Sequence, residues 1–140
     1  SMSAERTFEQ DTIDMQMLNN TLAAMVEKLA FQLRKEQKLT SVVTIKIRYA
    51  NFDTHTVQKK LGYTAFDHVL LKSAQELFAK LYDRRMLIRL IGVKFSGLVH
   101  GAQQLNLFED TPEMVNLYLA MDNIRKLYGV KAVRKAAGFY

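Results

Sequence analysis

Cysteine is absent from this chain of 140 residues. Without it there is no disulfide framework and no thiol nucleophile, and the cytoplasm is the expected compartment. A zinc site is not expected either, because the three histidines, His55, His68 and His100, are scattered without the spacing of metal ligands. The composition therefore argues against disulfide-stabilised secreted domains and against zinc modules.

Long apolar runs are also lacking. No stretch approaches the ~18 consecutive apolar residues that a membrane-spanning helix needs. The N-terminus has neither the basic flank nor the apolar core of a secretory signal. Ser1-Met2 is interpreted as a cloning remnant in front of an excised domain. The prediction is one domain without membrane contact, taken from a longer chain.

Motifs of catalysis are missing as well. The sequence contains no glycine-rich dinucleotide or phosphate loop. No pair of carboxylates follows a predicted strand in a way that would hold Mg²⁺ for nucleotidyl transfer. Ser96 lacks a His or Asp partner in a recognisable arrangement. We therefore predict that this chain itself carries no catalytic residue, no metal and no cofactor.

Hydrophobic residues make up 49% of the chain, enough for a packed core. Residues 11–37 carry apolar side chains at steps of three and four, which predicts a helix begun by Asp11 or Asp14. A second helix is predicted over Ala65–Asp83, with Thr64 as its cap and Asp67 as the reciprocal capping partner.

Strands are predicted between and around these helices. Ser41–Phe52 alternates apolar and polar residues, and His55–Gly62 returns after turn-forming residues, so the two segments indicate a hairpin. Met86–Leu98 is rich in β-branched residues and predicts the last strand. Glu5–Glu9 is a short extended candidate at the beginning of the chain.

The element order is thus β-α-β-β-α-β. We predict an α+β two-layer sandwich, in which a four-stranded, mostly antiparallel sheet has two helices on one face. Simple alternation fails in the last strand, since Ile88 and Leu90 differ in parity from Val93 and Phe95. A bulge at Ile91-Gly92 would turn all four side chains inward.

The face of the sheet that the helices leave open is predicted to be basic. The formal net charge of the chain is +6, and its cations are unevenly distributed. The outward side chains of three strands combine amine, guanidinium and hydroxyl groups that can hydrogen-bond to phosphates. This candidate interface comprises Thr44, Lys46, Arg48, Thr56, Lys60, Arg89, Lys94 and Ser96.

The chain changes character after Leu98. Residues 99–110 show no periodicity and predict a loop, within which Gln104–Phe108 reads QLNLF. Large apolar anchors in a loop are costly unless a partner covers them, so Gln104, Leu105, Leu107 and Phe108 predict a docking peptide. Thr111 and Pro112 then begin a helix, and residues 111–140 form a predicted helical tail.

Three stretches together resemble the C-terminal little-finger domain of Y-family translesion DNA polymerases, of the bacterial DNA polymerase IV type. ERTF (Glu5–Phe8) resembles the entry into that domain, and VTIKIRYANFDTHT (Val43–Thr56) resembles its central hairpin. IRLIGVKFSGL (Ile88–Leu98) is the most specific of them. QLNLFED (Gln104–Asp110) resembles a peptide that binds the β sliding clamp, and the tail is similar to the extension of such members.

The resemblance implies a little-finger DNA-binding domain over residues 5–98, a loop with the clamp-binding motif over 99–110 and the helical tail over 111–140. Its partners would be primer–template double-stranded DNA and the β sliding clamp. The parent chain would be a DNA-directed DNA polymerase that uses Mg²⁺ in translesion synthesis and DNA repair, in the bacterial cytoplasm at the nucleoid. Its catalytic carboxylates would lie in other domains.

Two other interpretations of the residues stay open. An RNA-binding module of similar topology would stack bases on sheet aromatics, whereas the outward positions here are Thr, Lys, Arg and Gln. A regulatory domain of ferredoxin-like type, unrelated to polymerases, would bind a small molecule in a polar pocket between subunits and have no salt-dependent DNA affinity. Titration with DNA at two salt concentrations separates these classes.

Overall fold

The computed structural model describes residues 1–83, 85–100, 122 and 126. Within residues 1–100, five strands and two helices follow one another. They are β1 (Met2–Thr12), α1 (Met15–Lys35), β2 (Lys38–Tyr49), β3 (Thr54–Thr64), α2 (Asp67–Leu81), β4 (Ile88–Ser96) and the short β5 (Val99–His100). The predicted β-α-β-β-α-β order is confirmed.

The sheet has the strand order β1-β4-β2-β3, and each neighbouring pair is antiparallel. The last long strand therefore lies between the first two, with β1 and β3 at the edges. β2 and β3 form the predicted hairpin, whose turn is closed by a hydrogen bond from the Phe52 amide to the Tyr49 carbonyl at 2.9 Å. The order places β2 and β4, the two most apolar strands, in the centre.

One face of the sheet packs on the helices. Val43, Ile45 and Ile47 of β2 are fully buried, as are Ile91 and Phe95 of β4, because alternate residues of a strand point to the same face. Their registered neighbours share that orientation. The core therefore lies between this face and the two helices. Burial of each of these side chains stabilises the fold by about 1.5–3 kcal/mol.

Helix α1 begins where its cap places it. The side chain of Asp14 accepts hydrogen bonds from the amides of Gln16 and Met17 at 3.1 and 3.2 Å, so Asp14, one of the two predicted starts, is the N-cap. The apolar stripe from Leu18 to Leu33 is buried as predicted.

Helix α2 begins differently from its prediction. Its N-cap is Phe66, which provides no side-chain hydrogen bond. The hydroxyl of Thr64 instead accepts from the Phe66 amide at 3.2 Å, a local turn ahead of the helix. Asp67 is the first helical residue, and its carboxylate binds Arg34. The predicted reciprocal capping box is therefore wrong.

The irregularity of β4 also lies elsewhere than predicted. Pairing with β2 is continuous through Ile91 and Gly92 and shifts between the pairs Arg48–Leu90 and Tyr49–Ile88. The predicted bulge at Ile91-Gly92 is wrong, since the extra residue is Arg89. Ile91 joins the core, and Leu90 points to the open face yet is only 5% exposed.

Gly97 turns the chain out of β4. Its φ of +62° lies in the left-handed region, and a Cβ at this position would collide with the Ser41 hydroxyl. The turn lets Val99 pair with Leu39 and His100 with Lys38, so that β5 lies antiparallel beside the beginning of β2. The chain beyond β4 thereby stays against the domain up to residue 100.

Neither helix in the described ranges is long and apolar enough to cross a membrane. The predicted helix from Thr111 falls outside the described residues, apart from Asp122 and Lys126, which are both helical. The predicted loop 99–110 begins with β5, and its remainder is also outside the described part.

Candidate nucleic-acid interface

The register of the four long strands assigns side chains to the face opposite the helices, called the open face below. None of its register-paired residues is aromatic. They are Ser3, Glu5, Thr7, Val42, Thr44, Lys46, Arg48, Thr54, Thr56, Gln58, Lys60, Leu90, Gly92, Lys94 and Ser96. This surface suits hydrogen bonding and ion pairing with a polyanion better than base stacking.

Seven of the eight candidate interface residues lie together on the open face. Rows of paired residues cross the sheet, and each row brings candidates from different strands side by side. Thr44 pairs with Lys94, Lys46 with Thr56, and the third row joins Val42 to Ser96 and Lys60. Neighbouring strands are about 4.8 Å apart, so the cations form one continuous patch.

The cations on this face differ in how firmly they are held. The Nε of Arg48 donates to the Thr54 hydroxyl at 2.9 Å, which fixes the guanidinium along β3. Lys60 and Lys94 are exposed and have no carboxylate partner within the described residues. Their ammonium groups are available to an external anion.

Lys46 is paired across the middle strand. Its Nζ lies 2.9 Å from Oε1 of Glu5, although β4 separates the strands that carry them. Gly92 is the β4 residue registered with both, and a Cβ there would lie 3.2 Å from the Glu5 Cγ. The ion pair therefore lies over the one position of this row that has no side chain.

Arg89 is the candidate that the register does not bring to the open face. As the bulge residue it reaches the end of the sheet, where its Nη1 lies 3.7 Å from the Asp11 carboxylate. Its guanidinium stacks over the Phe52 ring, with the Cζ 4.5 Å from the ring centroid. Phe52 occupies the hairpin tip with φ +71° and is 64% exposed.

Lys59 lies on the side of β3 that faces the helices. Its ammonium group binds Glu76 of α2 at 3.3 Å, so it faces the helices although it is adjacent to Lys60 in sequence. Lys59 is therefore a cation of β3 that does not belong to the open face.

A buried guanidinium ties the end of α1 to two other segments. Arg34 donates to Asp67 at 2.8 Å, to Asp122 at 2.6 and 2.9 Å, and to the carbonyl of Ala65. Burial by itself would lower the pKa of Arg34, but the hydrogen bond with Asp122 and the charges of both carboxylates outweigh it and raise the pKa. Asp122 is only 6% exposed, so residue 122 is docked on the domain.

Sequence reasoning missed several residues of this surface. Thr54 could have been found from strand parity, because it alternates with Thr56 along β3. Glu5 and Gly92 could not be found from the sequence, because their position beside Lys46 depends on which strands are neighbours in the sheet. Strand order left no signal in the sequence of either strand.

The candidate docking residues Gln104, Leu105, Leu107 and Phe108 lie outside the described residues. Within the described ranges, no three His, Cys, Asp or Glu side chains converge as a metal site.

Comparison with known proteins places this geometry in a family. Residues 1–107 match the impB/mucB/samB family C-terminal domain. A DNA polymerase IV of Dehalococcoides mccartyi strain BAV1 is 37% identical over 136 residues, covering 96% of this chain and 35% of the relative. The chain thus spans about a third of the length of this curated relative.

Solved structures share the fold. DinB from Sulfolobus solfataricus superposes with a TM-score of 0.61 at 20% identity, over 71% of this chain and 29% of the other. A complex of the β-clamp processivity factor with the little finger domain of PolIV gives a TM-score of 0.52 at 15% identity, over 78% and 89% of the two chains.

The two-layer fold and the matched residues define the class: the chain belongs to the impB/mucB/samB C-terminal domain family, the little-finger domains of Y-family DNA polymerases. The resemblance of the sequence to the little-finger domain is confirmed. Within that family the curated relatives named DNA polymerase IV include one from Clostridium acetobutylicum at 29% identity over 139 residues.

Proposed function

We propose that this chain is the DNA-gripping and clamp-recruiting part of a polymerase of the DNA polymerase IV type. The open face holds primer–template duplex through its phosphates, and the Gln104–Phe108 segment binds the β sliding clamp. The parent enzyme is a DNA-directed DNA polymerase that acts in damage bypass in the bacterial cytoplasm. Its Mg²⁺ and catalytic carboxylates belong to its other domains.

The observation that supports DNA binding is the concentration of cations on one side of the sheet. Lys46, Arg48, Lys60 and Lys94 share the open face, on which Glu5 is the one register-paired acid. The helices cover the other face, so this side alone of the sheet can meet a broad ligand. Ionic contacts of this kind track a phosphate backbone without reading bases.

Hydroxyl groups complement the charges. Thr44 and Thr56 lie beside Lys94 and Lys46 in the paired rows, and Ser96 lies in the row of Lys60. Neutral hydrogen bonds from such groups fix the orientation of a phosphate that the cations attract. A polymerase that moves along any sequence needs contacts of this sequence-independent kind, which slide as the duplex advances.

Titration of the chain with primer–template DNA at two salt concentrations tests this proposal. Neutralisation of about four phosphates predicts a slope of log K against log salt near −3.6, or a loss of roughly a hundredfold in affinity between about 50 and 200 mM salt. Duplexes of unrelated sequence should bind equally well.

Two lysines of similar exposure make a matched comparison. Lys94→Ala should weaken binding to every sequence and reduce the salt slope by about 1. Lys59→Ala removes the same charge from the helix side and should leave the slope unchanged. Equal effects of the two variants, or affinity that ignores salt, would contradict binding by the open face.

Support for the clamp partner comes from the QLNLF segment and from the neighbouring structure of a little finger domain in complex with a β-clamp. In the proposed mode, the amide of Gln104 hydrogen-bonds to the clamp while Leu105, Leu107 and Phe108 fill an apolar pocket. A few apolar anchors of this kind supply most of the energy of peptide docking.

A pull-down with the β sliding clamp tests the second half of the proposal. Leu107→Ala combined with Phe108→Ala should abolish clamp binding and leave the melting temperature nearly unchanged. Glu109→Ala, next to the motif, serves as the control and should still bind. A large fall in the melting temperature with clamp binding retained would show that the two side chains serve the fold instead.

A further inference from the structure

We infer that Glu5 occupies the place of a DNA phosphate at Lys46, so that the duplex must displace this carboxylate when it binds the open face. The inference rests on the proposed DNA binding and extends it, because it assigns a regulating role to an acidic residue in a basic interface. Glu5 would set how tightly the domain holds DNA.

The geometry of the pair is the first argument. Glu5 and Lys46 are carried by β1 and β2, which are separated by β4 and hence by about 10 Å of sheet. Their charged atoms nevertheless meet at 2.9 Å. Both side chains must therefore lie along the surface of the sheet, and the ammonium group of Lys46 points across β4 instead of outward.

The absence of a side chain at position 92 makes this arrangement possible. Gly92 is registered with both residues, and a Cβ there would approach the Glu5 Cγ to 3.2 Å and the Lys46 Cβ to 3.5 Å. A larger residue at position 92 would push the side chains of Glu5 and Lys46 apart. The same gap allows a phosphate to come close to the strand once Glu5 has moved away.

The exposure of the pair shows that the exchange is feasible. The side chains of Lys46 and Glu5 are 31% and 49% exposed, and pairs of this exposure are only weakly stabilising. A phosphate with a full negative charge can therefore replace the carboxylate at modest cost. Lys94, two residues from Gly92 on the same face, offers that phosphate a second cation.

Glu5→Gln tests the inference, because it removes the charge and keeps the shape of the side chain. Lys46 is then free for the duplex. We expect the full chain to bind primer–template DNA about two- to fivefold more tightly at ~0.1 M salt, the range that corresponds to an exposed ion pair. The salt slope should stay close to that of the wild type, because Lys46 contacts a phosphate in both complexes and only the cost of displacing Glu5 is removed.

Two further variants separate this mechanism from a general gain of positive charge. Glu9→Gln makes the same change of charge at an exposed residue of β1 and should alter affinity much less. In a Lys46→Ala background, Glu5→Gln should have no effect on affinity or on the slope. Equal effects of Glu5→Gln and Glu9→Gln, or a gain that persists without Lys46, would overturn the inference.

Failure of the proposed DNA binding would give a different experimental result from failure of the role of Glu5. Wild-type chain that does not bind duplex even at low salt rejects both the DNA-binding proposal and the role of Glu5. Wild-type chain that binds with a steep salt slope, together with a Glu5→Gln variant of identical affinity, rejects only the role of Glu5.

Discussion

Single residues decide where the backbone of this domain can turn and which charges can meet. Gly97 and Gly62 are both glycines but lie in different surroundings. Gly97 has φ +62°, with the Ser41 hydroxyl in the place a Cβ would take, whereas nothing lies within 4 Å of a Cβ at Gly62. The two glycines therefore provide a comparison in which only the structural context varies.

Gly97→Ala should destabilise the domain by about 1–2 kcal/mol, because alanine is strained in the left-handed region and crowds Ser41. Gly62→Ala should be neutral or slightly stabilising, since it restricts the unfolded chain at an open position. Urea unfolding measures both free energies. A Gly97→Ala variant as stable as Gly62→Ala would mean that the turn after β4 is not held in this conformation.

At the scale of the elements, local sequence patterns were sufficient to predict the helices and the long strands of the sheet. Apolar spacing predicted α1 with Asp14 as a possible start, and alternation predicted which residues of β2 are buried. The bulge of β4 was predicted at the wrong position. Apolar residues at both odd and even positions of one strand indicate that a bulge exists, but they do not show where it lies. Only pairing with Arg48 and Tyr49 assigns it to Arg89.

The cap of α1 gives a prediction at this scale. Asp14→Ala leaves the amides of Gln16 and Met17 without their acceptor and should cost about 1 kcal/mol of unfolding free energy. Asp14→Ser keeps an acceptor oxygen and should retain most of that stability. Urea unfolding distinguishes them, and a serine variant as unstable as the alanine variant would argue against the capping role.

The whole molecule depends on contacts between residues far apart in sequence. Arg34 and Asp122 are separated by 88 positions, and Glu5 and Lys46 by 41. No periodicity or turn signal in the sequence links such partners, so neither pair was predicted. The face on which Lys46, Lys60 and Lys94 lie was predictable because strand parity alone determines it.

The docking of residue 122 yields a prediction for the whole domain. Asp122→Ala removes two hydrogen bonds from the buried guanidinium of Arg34 and should cost about 1–3 kcal/mol of unfolding free energy. Lys126→Ala alters an exposed residue of the same segment and should be nearly neutral. Equal stability of the two variants in urea would contradict the buried contact with Arg34.

The central claim is that the open face of the sheet holds duplex DNA, and a map of amide chemical shifts tests it most directly. On addition of a primer–template duplex at low salt, resonances of Thr44, Lys46 and Lys94 should move together in proportion to the bound fraction. Resonances of Lys72 and Glu76, which lie on α2, should stay in place. Shifts confined to the helices, with the open face unchanged, would contradict the account.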